Sequence, residues 1–198
     1  LNISQADGAT VTGSGSVAVT GLTATADLSG LANSPSGAGE AITVTLAAGP
    51  NIVFTGNLGG AKVIIPAGAS LTIGEGANVA GATFEVSSGD TLTLDAAVLD
   101  GSVSVVTPTG AEADSGRIVL NDVDATSDLS GISLTTGGGA SAINVVANVA
   151  AATDLDVTTA GSRFDAVDSF VVPAGSSVTL TAAQANGLSI TGGGAVTI

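Results

Sequence analysis

The most constraining feature of this chain is a beat. Val44/Leu46, Ile52/Phe54, Val63/Ile65, Leu71/Ile73, Phe84/Val86, Leu92/Leu94 and Val103/Val105 each enclose one residue between two apolar ones. That period-two pattern belongs to a short strand with one buried face. Successive pairs are centred 8, 11, 8, 13, 8 and 11 residues apart, so every second pair recurs after 19 to 21 residues. Phe170/Val172, Val178/Leu180, Leu188/Ile190 and Val196/Ile198 continue the pattern with a recurrence of 18.

A recurrence near 20, with short strands and Gly-rich corners, predicts an all-β fold: a parallel β-solenoid (β-helix) with coils of about 20 residues. Inward Val, Ile and Leu stack into one core. Outward positions carry Thr and Ser, as in "ITVTL" (42–46), "TLTL" (91–94) and "SVTLT" (177–181), and β-branched Thr suits an exposed pleated face. Gly supplies positive φ at corners. Pro66 and Pro173 fall between strands in "PAG", where a missing N–H is harmless. Helix has little support, although "NVAAATDLD" (148–156) and "LTAAQANG" (180–187) could each form one turn. The competing fold is a tandem of Ig-like β-sandwiches, whose module is of similar size to the longer repeat described next.

That longer repeat overlies the beat. "LNISQADG" (1–8), "LDAAVLDG" (94–101) and "LTAAQANG" (180–187) align at offsets of 93 and 86 residues. "GSVAVTGLTATADLSGL" (15–31) matches "GRIVLNDVDATSDLSGI" (116–132), and "IPAGASLTI" (65–73) matches "VPAGSSVTL" (172–180). The expected organisation is a first unit at 1–93, a second at 94–179 and the start of a third at 180–198, in one continuous solenoid. In "DLSG", Asp27 and Asp128 are expected to cap a turn, with Leu28 and Leu129 buried.

Composition excludes several function classes. Three basic residues, Lys62, Arg117 and Arg163, face 17 acidic ones, for a net charge of −14. Nucleic-acid binding needs clustered Lys and Arg, and adsorption to anionic lipid is disfavoured for the same reason. There is no Cys, His, Met, Trp or Tyr. Disulfides, thiolate or imidazole metal sites and the common nucleophile–base pairs are therefore out of reach. No run approaches the ~20 apolar residues of a membrane helix, so membrane insertion is not expected. Leu1 opens the chain without a charged, then apolar, leader, which suggests a processed or excised piece of a longer chain.

The candidate metal ligands are Asp122, Asp124 and Asp128 in "NDVDATSDLSG" (121–131). Asp-x-Asp spacing in a loop offers hard oxygens to calcium at extracellular concentrations. The competing reading is a solvated corner in which the carboxylates bond their own backbone. The equivalent segment 20–30 keeps only Asp27, so calcium binding is not built into the repeat. Stacked Thr-x-Thr ranks could bind ice. The expected ranks are Thr43/Thr45, Lys62/Ile64, Glu85/Ser87 on one face and Ser70/Thr72, Thr91/Thr93 on the other, and charge interrupts the first. The Gly-rich pieces at 12–17 and 191–196 lack the Lys-Ser/Thr ending of a phosphate loop. Glu40, Glu75, Glu85 and Glu112 show no clustering suited to glycoside chemistry. No catalytic residue is assigned, no cofactor beyond possible calcium is expected, and the chain is not expected to be an enzyme.

"LTAAQANGLSITGGGAVTI" and "ATADLSGL" resemble segments of large, repetitive, secreted bacterial surface proteins of adhesin, S-layer and extracellular filament types. The resemblance spans the chain and rests on Gly/Ala/Thr/Val composition together with the repeated phrases. It implies a secreted or cell-surface location and a structural or adhesive role. The expected partner is the chain itself, as identical copies or adjoining repeats.

Overall fold

The structure, a computed structural model, describes residues 1–11, 16–31, 42–46, 51–99, 103–106, 116–135 and 143–198. Among the described residues, sixteen short strands form three sheets, and every strand pairing is parallel. The first sheet stacks β1 (Val17–Thr20), β2 (Ile42–Thr45), β4 (Lys62–Ile65), β6 (Thr83–Val86), β8 (Val103–Val106) and β10 (Ile132–Thr135). The second stacks β3 (Asn51–Phe54), β5 (Ser70–Ile73), β7 (Thr91–Asp95), β9 (Arg117–Val123), β11 (Asn144–Val149), β13 (Ser169–Val172) and β15 (Ser189–Gly192). The third holds β12 (Asp154–Asp156), β14 (Ser177–Thr179) and β16 (Ala195–Thr197).

This is a β-solenoid with coils of about 21 residues. An Ig-like sandwich would pair its strands antiparallel. The second sheet runs unbroken from β5 through Leu94 to β9, across the boundary between the first two repeat units.

The core is built from ranks of inward residues. Phe54, Ile73, Leu94, Leu120, Ala147, Phe170 and Ile190 lie in register along the second sheet. Val19, Val44, Val63, Phe84 and Val105 do so along the first, all fully buried. Each fully buried Val, Leu, Ile or Phe among them contributes about 1.5–3 kcal/mol. The apolar pairs marked by the beat fall on these inward positions. Ile52, Leu188 and Ile190 are only partly buried, and Val196 and Ile198 are exposed.

Two corner designs connect the faces. In "PAG" corners the chain turns through a positive-φ glycine, Gly68 or Gly175, and the N–H three residues on returns to the proline carbonyl. In the other design an Asp or Asn side chain caps the turn and the next residue is buried. Asp27 accepts from Ser29 N–H, Asn57 from Gly59, Asn78 from Ala80, Asp128 from Ser130 and Asp156 from Thr158, at 2.9–3.1 Å. Leu28, Leu58 and Leu129 follow, fully buried. Asp27, Asn57 and Asn78 also stack as parallel bridges.

The phrase repeated at 1, 94 and 180 is a capped turn. Asn2 and Gln5 form a capping box around helix α1 (Ile3–Ala6), and Thr181 and Gln184 form another around α2 (Ala182–Ala185). Asp95 caps a 3₁₀ turn at Ala96–Val98. The helical turn anticipated within 180–187 is therefore present. The one anticipated within 148–156 is not, because those residues complete β11, turn at Ala151–Ala152 and enter β12.

The repeat copies do not occupy equivalent faces. The phrase at 65–73 joins the first sheet to the second, whereas its match at 172–180 joins the second to the third. Likewise β1 lies in the first sheet and its sequence counterpart β9 in the second. A unit of about 90 residues is not a whole number of coils, so each copy begins one sheet further round.

Candidate functional site

The three aspartates singled out in the sequence are brought together. They line one concavity of about 240 Å³, opposite Ala96, Ala97 and Leu99. Their placement starts in β9. Leu120 pairs with Ala147 and Val123 with Val149, so the strand carries one extra residue against its neighbour. This bulge puts Asp122 at φ 55° and turns it outward. Asn121 Oδ1 accepts from Asn148 Nδ2 at 2.8 Å and closes the bulge against the next coil.

Asp124 serves its own corner. Its Oδ1 accepts from the backbone N–H and hydroxyl of both Thr126 and Ser127, at 2.7–3.2 Å. Hydrogen bonding, from the Thr126 hydroxyl first, lowers its pKa. Asp128 Oδ1 accepts from Ser130 Oγ at 2.6 Å and from Ser130 N–H at 3.0 Å. The Ser130 hydroxyl is the main cause of its lowered pKa, with a small contribution from Arg163. Arg163 is a resident cation here. Its guanidinium donates to the Ala125 carbonyl at 3.3 and 3.4 Å and lies 5.7 Å from the Phe164 ring centre.

Among the described residues, no three acidic side chains converge in a way that would hold a metal ion. A calcium site turns several carboxylate oxygens toward one point. Here Asp124 and Asp128 each turn an oxygen back to the chain.

The outward ranks differ by one rung from the sequence expectation. Thr43 stacks on Lys62 and then Thr83, and Thr45 on Ile64 and then Glu85. The third pair is thus Thr83/Glu85, not Glu85/Ser87, because Ser87 has already left the strand. Lys62 and Glu85 form an ion pair at 2.6 Å across this rank. Ser70/Thr72 does stack on Thr91/Thr93, and the rank continues to Arg117/Val119. Neither face presents an unbroken Thr array. Glu75 stands alone on an exposed turn. Glu40, Glu112 and residues 12–15 lie outside the described residues.

Sequence reasoning missed Asp90. It is 3% exposed at a corner, its Oδ1 accepts from Gly68 N–H at 2.7 Å, and its Oδ2 is buried with no partner. Aligning the corners "PAGA" (66–69), "SSGD" (87–90) and "PAGS" (173–176) would have exposed it as the one acid among small residues.

The chain matches no family model, no curated protein and no solved structure. Among the described residues, no helix is long and apolar enough to cross a membrane. The coil at 180–198 continues the stacking of the coil before it. Val196 stacks on Val178 and Ile190 on Phe170, yet Val196 is 47% exposed while Val178 and Phe170 are buried.

Proposed function

We propose that this chain is a structural, non-catalytic module of an extracellular bacterial filament, sheath or surface array, assembled by stacking solenoid coils end to end. The observation that carries this reading is the pair Val19 and Val196. Both are the valine of an "AVT" run in a strand that follows a capped helical turn, at Ile3–Ala6 and Ala182–Ala185. Val19 is covered by Val44 of β2 and is fully buried. Val196 has the same inward setting with one face open. A further coil, from a second copy or an adjoining repeat, would bury that face and pair the free edges of β15 and β16 by β-augmentation. The Cys- and Met-free composition also suits long exposure to oxidants outside a cell.

A second reading keeps the solenoid but removes the assembly: the repeat is the stalk of a giant adhesin, and adjoining repeats of the same chain supply the next coil. Electron microscopy and sizing chromatography across a concentration series separate the two. Ordered polymers that Val196→Asp abolishes support the array, whereas isolated fibres of longer chains support the stalk. A monodisperse monomer at every concentration, with both end coils ordered, overturns end-to-end assembly.

A further inference from the structure

We propose that Asp90 is a proton-operated clasp between two coils: once protonated, its Oδ2 hydroxyl donates to the Pro66 carbonyl while Oδ1 keeps the Gly68 N–H. The side chain is 3% exposed, Oδ1 accepts from Gly68 N–H at 2.7 Å, and Oδ2 is buried without a partner. A carboxylate can only accept, whereas the protonated acid also donates. Taking up a proton therefore gives the orphaned oxygen a bond to make. The corner lies within the stack, since β7, which it leads into, pairs with β5 on one side and β9 on the other.

A second pair of corners indicates the acceptor. Residues 150–153 and 173–176 follow the paired strands β11 and β13, as 66–69 and 87–90 follow the paired β4 and β6. Ala150 stands where Pro66 does, and Ser176 where Asp90 does. Ser176 Oγ donates to Ala150 O at 3.0 Å and accepts from Thr153 N–H at 3.3 Å. A hydroxyl at this position thus bridges to the first carbonyl of the preceding corner. Pro66 O accepts one bond, from Ala69 N–H at 3.0 Å, and a carbonyl oxygen has a lone pair for a second.

Among the described residues, no neighbouring charge takes the place of the proton. Pro66–Ala69 and Ser87–Gly89 hold no ionisable side chain. Arg117 N–H donates to Asp90 O at 2.9 Å, but the Arg117 side chain is exposed on the outward rank beside Thr91. Lys62 is paired with Glu85 on the first sheet. Glu112 and Asp114 lie outside the described residues. Burial raises the Asp90 pKa against the Gly68 bond. Stability is therefore gained as pH falls through the folded pKa, and the gain is complete below the unfolded one. Hydrogen bonds, led by the hydroxyls of Ser29, Thr126 and Ser130, lower the pKa of Asp27, Asp124 and Asp128. Those three lose their contributions only below the ordinary carboxylate value. The two effects occupy separate windows, and mild acid is where Asp90 acts.

The test follows the full chain from neutral pH into mild acid by carboxyl NMR and by hydrogen exchange at the Gly68 N–H. Asp90 is expected to titrate above the ordinary carboxylate value. Opening at Gly68, corrected for the intrinsic pH dependence of exchange, is expected to become rarer by up to about tenfold per pH unit across that window. Asp90→Asn keeps an acceptor for Gly68 and puts an uncharged amide donor where the Oδ2 hydroxyl would stand. It is expected to be as closed at neutral pH as the parent is in mild acid, and to lose the pH dependence. Asp90→Ala removes the charge and both bonds, so Gly68 is expected to open more readily in it than in Asp90→Asn. Titration of Asp90 at or below the ordinary value overturns the clasp, as does an Asp90→Asn chain that opens more readily than the parent at neutral pH. Equal exchange in the Asn and Ala variants overturns the donor role of Oδ2. None of these results depends on whether copies of the chain polymerise.

Discussion

Asp90 Oδ1 accepts the Gly68 N–H at 2.7 Å from the coil before it, and its second oxygen is buried without a partner. Ser176 fills the matching corner position later in the chain. Its hydroxyl donates to Ala150 O at 3.0 Å and accepts from Thr153 N–H at 3.3 Å, leaving nothing orphaned. Asp90 therefore does one serine's work with a carboxylate that the interior solvates poorly.

Burial raises the Asp90 pKa despite the Gly68 bond. An acid whose folded pKa lies above its unfolded value binds its proton more tightly when folded, so its penalty is full above the folded pKa and fades as pH falls. Asp90→Ser is expected to stabilise the chain at neutral pH by about 1–3 kcal/mol, the cost of one buried unsatisfied group. Denaturant melts at neutral and acid pH check this. The gain should shrink on acidification, and a loss of stability at neutral pH would contradict the assignment.

Ala152 stands at φ 55° in the corner "AAAT" (150–153), at the position that Gly68, Gly89 and Gly175 hold in theirs. A Cβ in the left-handed region costs about 1–2 kcal/mol, against which glycine's extra freedom in the unfolded chain sets about 0.4–1 kcal/mol. Ala152→Gly is expected to be stabilising by about 0.5–1 kcal/mol, measured by thermal or denaturant unfolding. The reverse change, Gly175→Ala, should destabilise by a similar amount.

Asp124 presents the opposite sign. Its pKa is lowered by the Thr126 and Ser127 bonds, so its contribution is present above the unfolded pKa and is lost as pH falls through the folded one. Asp124→Ala is expected to cost about 1 kcal/mol at neutral pH, in the range of a lost turn cap. The gap between parent and variant should close in strong acid. A constant gap at all pH values would show that the charge on Asp124 has no part in the effect.

Calcium at millimolar concentration is expected to leave the melting temperature unchanged, since a ligand stabilises only by binding the folded state. The Asp124 and Asp128 turn bonds and the Arg163 guanidinium all compete with an added cation. A saturable rise in melting temperature that Asp122→Asn abolishes would establish calcium binding by these aspartates.

Much of this was legible because coil architecture is local. Leu71/Ile73 and Leu92/Leu94 announce their strands by alternation alone, and "PAG" at 66–68 and 173–175 announces its corner. The Asp27 and Asp128 caps could be read from "DLSG" because side chain, turn and buried leucine lie within four residues. The bulge at Asp122 could not be read, since "NDVD" alternates no differently from a regular strand and only pairing with β11 reveals the extra residue. The rung shift from Ser87 to Thr83 has the same origin: a strand's end depends on the coil it lies against. Asp90 was invisible because nothing adjacent marks its side chain as inward.

By itself, then, the sequence determined the parallel solenoid, its coil length and the inward residues, all of which follow from backbone alternation and corner chemistry within a few residues. Tertiary structure alone decided which sheet each strand joins. The phrases at 65 and 172 are near copies, yet they bridge different pairs of sheets, because the intervening residues do not fill a whole number of coils.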